Sequence, residues 1–271
     1  MLGKLLKYEI KSTARIFLPL YVSLVLLAVI SNIFFKINNN ELFMNIISVI
    51  STSAYVFIII AIFVLTLLVM IQRFYKNLLG DEGYLMFTLP VKTGEHIVSK
   101  LLTSMMWVIT STIVTIVSVL IISYNENTFA SLQNAISQVF SEISRVFGIN
   151  GYAYLIEFFI FLLMVLATNI LMIYASIAVG QLVSKHKVLG AFGAYLGFYI
   201  LSQIIISIIF VSYYSISSGN MNSFETIINN VAQSNTIPHF VFVGIMLLNL
   251  FFAGAYYIIT NLILSKQLNL E

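Results

Sequence analysis

Six long apolar runs, separated by short polar stretches, set the pattern of this chain: residues 16–35, 44–71, 101–123, 152–179, 188–211 and 240–264. Each reaches the roughly 20 residues an α-helix needs to cross the ~30 Å hydrocarbon layer of a bilayer. Membrane-spanning strands are about half that long, and a lipid-facing backbone must close its own hydrogen bonds, so the runs predict helices. The expected fold is all-α: a polytopic membrane protein with six transmembrane helices, forming one domain over residues 1–271.

Shorter patterns sit between the runs. In residues 1–15, Leu2, Leu5, Leu6 and Ile10 share one helical face, and Lys4, Lys7 and Lys11 the other. That predicts an in-plane amphipathic helix on an anionic membrane surface. The run from Ile16 to Phe35 has no small-residue cleavage pattern at its end and reads as a retained first span rather than a signal peptide. In the segment 124–151, Phe129, Leu132, Ile136, Val139, Phe140, Ile143, Val146 and Phe147 recur at helical spacing. The segment 212–239 does the same on a smaller scale with Phe224, Ile227, Ile228 and Val231.

Charge adds a direction. Lys4, Lys7, Lys11, Arg15, Arg73, Lys76, Lys92, Lys100, Lys185, Lys187 and Lys266 all fall on one side of the six-span layout. Only Lys36 and Arg145 fall on the other. Basic loops stay cytoplasmic, so both termini and the segment 72–100 are expected inside.

Composition agrees with a membrane setting: 60% of residues are hydrophobic and 8% charged, against roughly a quarter charged in soluble domains. The absence of cysteine excludes disulfides and thiolate metal sites. Glu95-His96 has no second histidine four positions on, and no G-x-S-x-G or phosphate-cradling G-x-x-x-x-G-K-[ST] pattern occurs. Catalysis, an own ATPase, a metal centre and a nucleic-acid partner are therefore not expected. Within the spans, Glu157 is the one clear ionisable residue, and Asn169, Gln203 and Asn249 are polar groups that must find partners in hydrocarbon. They are expected either to bond between helices or to line a pathway. Gly190, Gly193 and Gly197 in span five form a small-residue face suited to close helix approach.

The segment "GDEGYLMFTLPVKTGEH", Gly80 to His96, is unusual for a cytoplasmic loop because bulky apolar residues follow two acids. Gly80 is placed to end the preceding helix, and Thr93 to cap the next one with Glu95 in its first turn. A short aromatic helix with an acidic rim suits a cleft on a soluble partner.

"GDEGYLMFTLPV", followed by a helix with "SKLL", resembles the loop after the second span in permease subunits of ABC-2 type transporters, a six-span exporter class common in Gram-positive bacteria. The layout of the whole chain is similar to that class; the specific likeness is confined to Asp81 through Val91. The resemblance implies a location in the bacterial plasma membrane. It also implies a separate ATP-binding subunit holding ATP and Mg, and a second permease chain, identical or related. It makes Asp81, Glu82, Gly83, Tyr84, Phe87, Leu89 and Pro90 coupling candidates. This chain itself would bind no cofactor. The apolar composition favours a hydrophobic or amphipathic substrate such as a peptide, lipid or drug. Two other readings stay open: a non-transporting scaffold or sensor that docks a cytoplasmic partner, and an ion-coupled secondary transporter working through Glu157.

Overall fold

A computed structural model describes residues 2–37, 42–79, 83, 91–124, 126–147, 151–183, 185–217 and 237–266. These residues form seven helices: α1 (Leu2–Ile37), α2 (Leu42–Leu78), α3 (Thr93–Ile122), α4 (Glu126–Phe147), α5 (Gly151–Gly180), α6 (Lys187–Ser217) and α7 (Ile237–Lys266). All except α4 are long and apolar enough to cross a membrane, and they contain the six expected runs. The chain is therefore an all-helical multi-pass membrane protein. The helix expected in segment 124–151 is present as α4, whose Phe129, Ile136, Val139 and Phe140 are exposed. The smaller pattern in segment 212–239, Phe224, Ile227, Ile228 and Val231, falls outside the described residues.

One expectation is corrected. Residues 1–15 are not a separate in-plane helix: α1 runs unbroken from Leu2 to Ile37, through Pro19. At 1.5 Å per residue its 36 residues make it about 54 Å long, so roughly two-fifths of it projects past the ~30 Å hydrocarbon layer. The reason lies in its inward face, where Glu9, Thr13, Phe17, Tyr21, Leu24, Ala28 and Ser31 are all buried at spacings of three or four. Contacts to α2 and α3 continue along that face below the apolar run, so the projecting turns follow the helix axis.

The chain divides into two compact units, Met1–Ile136 and Ser137–Glu271, with the boundary inside α4. In the first, α1 packs on both α2 and α3. Phe17, Tyr21, Leu24 and Ala28 of α1 meet Tyr55, Ile62 and Val69 of α2 and Trp107 of α3. The Phe17 and Trp107 rings stack with centroids 4.5 Å apart. Hydroxyls stitch the same interfaces. Tyr21 pairs with Ser111 at 2.8 Å, Thr66 with Ser111 at 3.2 Å, Tyr55 with Ser118 at 2.9 Å and Ser31 with Ser51 at 2.6 Å. Asn32 donates to the Ile122 carbonyl at 2.9 Å. Without water to satisfy them, such groups must find one another across helices, and the small Ser and Thr side chains let the backbones come close.

In the second unit α5 is central, packing on α6 and α7. Phe161 meets Phe242 edge-on at 5.4 Å between α5 and α7. The α5–α6 hairpin closes at Gly180, where a Cβ would lie 2.5 Å from the Ala191 nitrogen. Gly190 faces Val183 as tightly, at 2.7 Å, whereas Gly193 and Gly197 have open space beside them. The close approach thus uses Gly180 and Gly190 rather than the whole predicted stripe.

Gly180→Val should destabilise the hairpin by about 1–3 kcal/mol, because backbone rather than a flexible side chain must move. Gly193→Val should leave a single chain's stability unchanged. Thermal denaturation of the two purified variants in mild detergent checks the contrast; equal losses would contradict it.

Candidate functional site

The polar chemistry of the first unit concentrates at the basic end of α1, α2 and α3. Lys100, eight residues into α3, has a side chain only 4% exposed. A buried ammonium is costly unless paired and hydrogen-bonded. Glu9 of α1 supplies the partner: Oε1 accepts from Lys100 Nζ at 2.8 Å, and Oε2 accepts from Arg73 Nη1 of α2 at 3.5 Å. Arg73 also donates through Nη2 to Ser12 Oγ. One carboxylate therefore bridges three helices, and the trio keeps a formal charge of one positive.

The next turn carries the network inward. Thr13 Oγ1 donates to the Glu9 carbonyl at 2.7 Å and accepts from Trp107 Nε1 at 2.7 Å. Trp107 in turn stacks on Phe17. Between Glu9, Thr13, Arg73, Lys100, Thr103 and Trp107 lies a cavity of about 20 Å³. That is room for one water molecule among groups able to hold it.

The segment between α2 and α3 springs from this cluster. Its first root is the last turns of α2, where Phe74, Asn77, Leu78 and Leu79 are buried. Its second root is the first turns of α3, where His96, Ile97 and Ser99 are buried. Both roots lie beyond the apolar runs, where solvent exposure would be ordinary. Gly83 is helical and buried. The other coupling candidates, Asp81, Glu82, Tyr84, Phe87, Leu89 and Pro90, lie outside the described residues, as does Gly80. The expected Thr93 cap is corrected: Lys92 occupies the cap position with no side-chain bond, and its carbonyl accepts from the Glu95 N–H at 2.9 Å. Glu95 does stand in the first turn.

The residues expected in the spans of the second unit are dispersed. Asn169 of α5 donates at 2.9 Å to Val165 O, and Asn249 of α7 at 3.4 Å to Ile245 O. Both amides thus bond within their own helix rather than between helices. The Thr168 hydroxyl approaches the Asn249 carbonyl at 3.4 Å, bringing those two positions together. Gln203 is exposed on α6, and Glu157 is half-buried near the start of α5. Sequence reasoning missed Glu9 and its partners. The available signals were a lone acid within a lysine-rich helix, and Thr103, Trp107, Ser111 and Ser118 recurring on one face of span three.

Glu9→Gln should cost ~3–5 kcal/mol, since it removes the carboxylate paired with a buried ammonium. Glu9→Gln combined with Lys100→Met should recover most of the loss. Arg73→Gln should cost ~1 kcal/mol or less, because this partner is a quarter exposed and more distant. Denaturant titration of the three variants in detergent micelles measures the order; an equal cost for Glu9→Gln and Arg73→Gln would refute the assignment of Lys100 as the dependent group.

Compared with protein-family models, with curated proteins and with solved structures, the chain finds no match. Its identity rests on its own residues: it is a polytopic all-helical membrane protein with six candidate spans.

Proposed function

We propose that this chain is the permease subunit of an ATP-driven exporter of the ABC-2 type. In this reading it moves a hydrophobic or amphipathic substrate out of the membrane or cytoplasm, with ATP and Mg held by a separate ATP-binding subunit and a second permease chain completing the pathway. The observation that carries the reading is where the "DEGYLMFTLPV" segment is rooted. Its two buried roots belong to the helices that Arg73 and Lys100 tie to Glu9. A force applied to the segment by a partner reaches α2 and α3 first, and the shared carboxylate passes it to α1. A solvated linker would lose that force in its own flexibility.

Closure of ATP-binding subunits against the segment would then shift the spans between inward-facing and outward-facing arrangements. Few charges lie inside the runs, which favours a substrate drawn from the bilayer over a small hydrated ion.

In solubilised membranes, an ATP-binding subunit should co-purify with the wild-type chain and fall at least tenfold with Tyr84→Ala/Phe87→Ala. Glu9→Gln/Lys100→Met should keep that subunit bound while losing substrate-stimulated ATP hydrolysis. Transport that proceeds without any ATPase, follows the proton gradient and stops with Glu157→Gln would replace this reading with an ion-coupled one.

A further inference from the structure

Among the described helices α4 is the one not apolar enough to read as a span, and its apolar face is open. Phe129, Leu132, Ile136, Val139 and Phe140 recur three or four residues apart, which at 100° per residue gathers them into a stripe about 100° wide. All five are exposed, so the described residues leave the stripe uncovered.

The chain ties both ends of α4 to the surface of the bilayer. Three residues separate it from α3, which ends at Ile122, and three from α5, which starts at Gly151. Both neighbours are long and apolar enough to span, and the apolar stretch of α5 begins at Tyr152. The exit from α3 is held in place by Asn32 of α1, which donates to the Ile122 carbonyl at 2.9 Å and the Tyr124 carbonyl at 3.3 Å. A three-residue link reaches only about 10 Å. An upright helix of 22 residues would carry its far end ~33 Å from the surface, beyond the return of such a link. The level is marked independently by Tyr124 and Tyr152, which flank α4 at the span ends with exposed rings. Tyrosines gather at the headgroup level, where an apolar ring with a polar tip meets both phases.

The remaining surface of α4 says how it would be held there. Ser131, Gln133, Asn134, Ser137, Gln138 and Ser141 make up its polar face, and its ionisable residues, Glu126, Glu142 and Arg145, leave a formal charge of one negative. Attraction to anionic headgroups therefore adds nothing, and burial of the apolar stripe supplies the adhesion. We infer that α4 lies along the membrane surface, on the side opposite the basic end, with its apolar stripe inserted among lipid headgroups. Bulky side chains enter that layer where headgroups are loosely packed, so α4 responds to lipid packing rather than to lipid charge. The inference rests on the membrane setting and is independent of what the chain moves.

The chain contains no cysteine, so one introduced cysteine carries a unique fluorescent label. In the full chain, Ile136→Cys and Val139→Cys place the label on the apolar stripe, and Gln138→Cys on the opposite face. Thermal denaturation matching the parent shows that each labelled variant folds. In vesicles of dioleoyl phosphatidylcholine with a nitroxide quencher high on the acyl chain, quenching should be roughly threefold stronger at positions 136 and 139 than at 138. Replacing a third of the lipid with dioleoyl phosphatidylglycerol should leave that ratio unchanged, whereas the tighter-packing palmitoyl-oleoyl phosphatidylcholine should lower it by about half. Equal quenching at the three positions would overturn the surface placement. Labels at 136 and 139 shielded from both the lipid quencher and aqueous iodide would show that protein covers the stripe, a second copy or the chain's own spans, and would overturn the lipid assignment. A ratio that rises with phosphatidylglycerol and ignores acyl-chain packing would overturn the response to packing.

Discussion

A single buried ammonium governs the basic end of the first unit. Lys100 has almost no access to solvent, and the Glu9 carboxylate 2.8 Å away offsets the cost of burying its charge. That requirement fixes α1 against α3, and the second oxygen of the same carboxylate fixes α1 against α2 through Arg73. The unbroken course of α1 follows from it. A segment that composition alone would lay flat on the membrane instead continues the axis of the first span, its one acid pointing into the bundle.

Above that anchor, the three helices are joined by a different kind of contact at almost every level. Thr13 and Trp107, Tyr21 with Ser111 and Thr66, Tyr55 with Ser118, and Ser31 with Ser51 follow one another along the inward faces. Each bond is modest, because the unfolded chain in a membrane also finds partners. Their value is in register: sliding one helix by a turn would break several together and leave hydroxyls in hydrocarbon. The second unit relies instead on aromatic contact and on the backbone approach at Gly180, which fix distance without specifying polar partners.

The number, extent and apolar character of the spans were legible in the sequence, because a bilayer imposes both a length and a composition that few other structures satisfy. The amphipathic helix α4 was legible from its periodicity. The Glu9 cluster was not, since its three members lie 64 and 91 residues apart and nothing local distinguishes a paired glutamate from a solvated one. Asn169 and Asn249 misled in the opposite direction. A side-chain amide can satisfy itself on the preceding helical turn, so a polar residue within a span need not mark an interhelical bond. Gly193 and Gly197 show the same limit for small residues: spacing permits a close approach without supplying the neighbour.

The shared carboxylate also bears on how this unit meets bilayers of different thickness. A lone helix answers hydrophobic mismatch by tilting on its own. Here the boundary between apolar and charged residues occurs at Arg15 and Ile16 on α1, at Ile71 to Arg73 on α2, and at Lys100 and Leu101 on α3, and Glu9 ties these levels together. The three helices must tilt in concert or oblige the surrounding lipid to stretch or thin. Membrane thickness therefore acts on the unit as a single load, delivered at the same level as the roots of the α2–α3 segment.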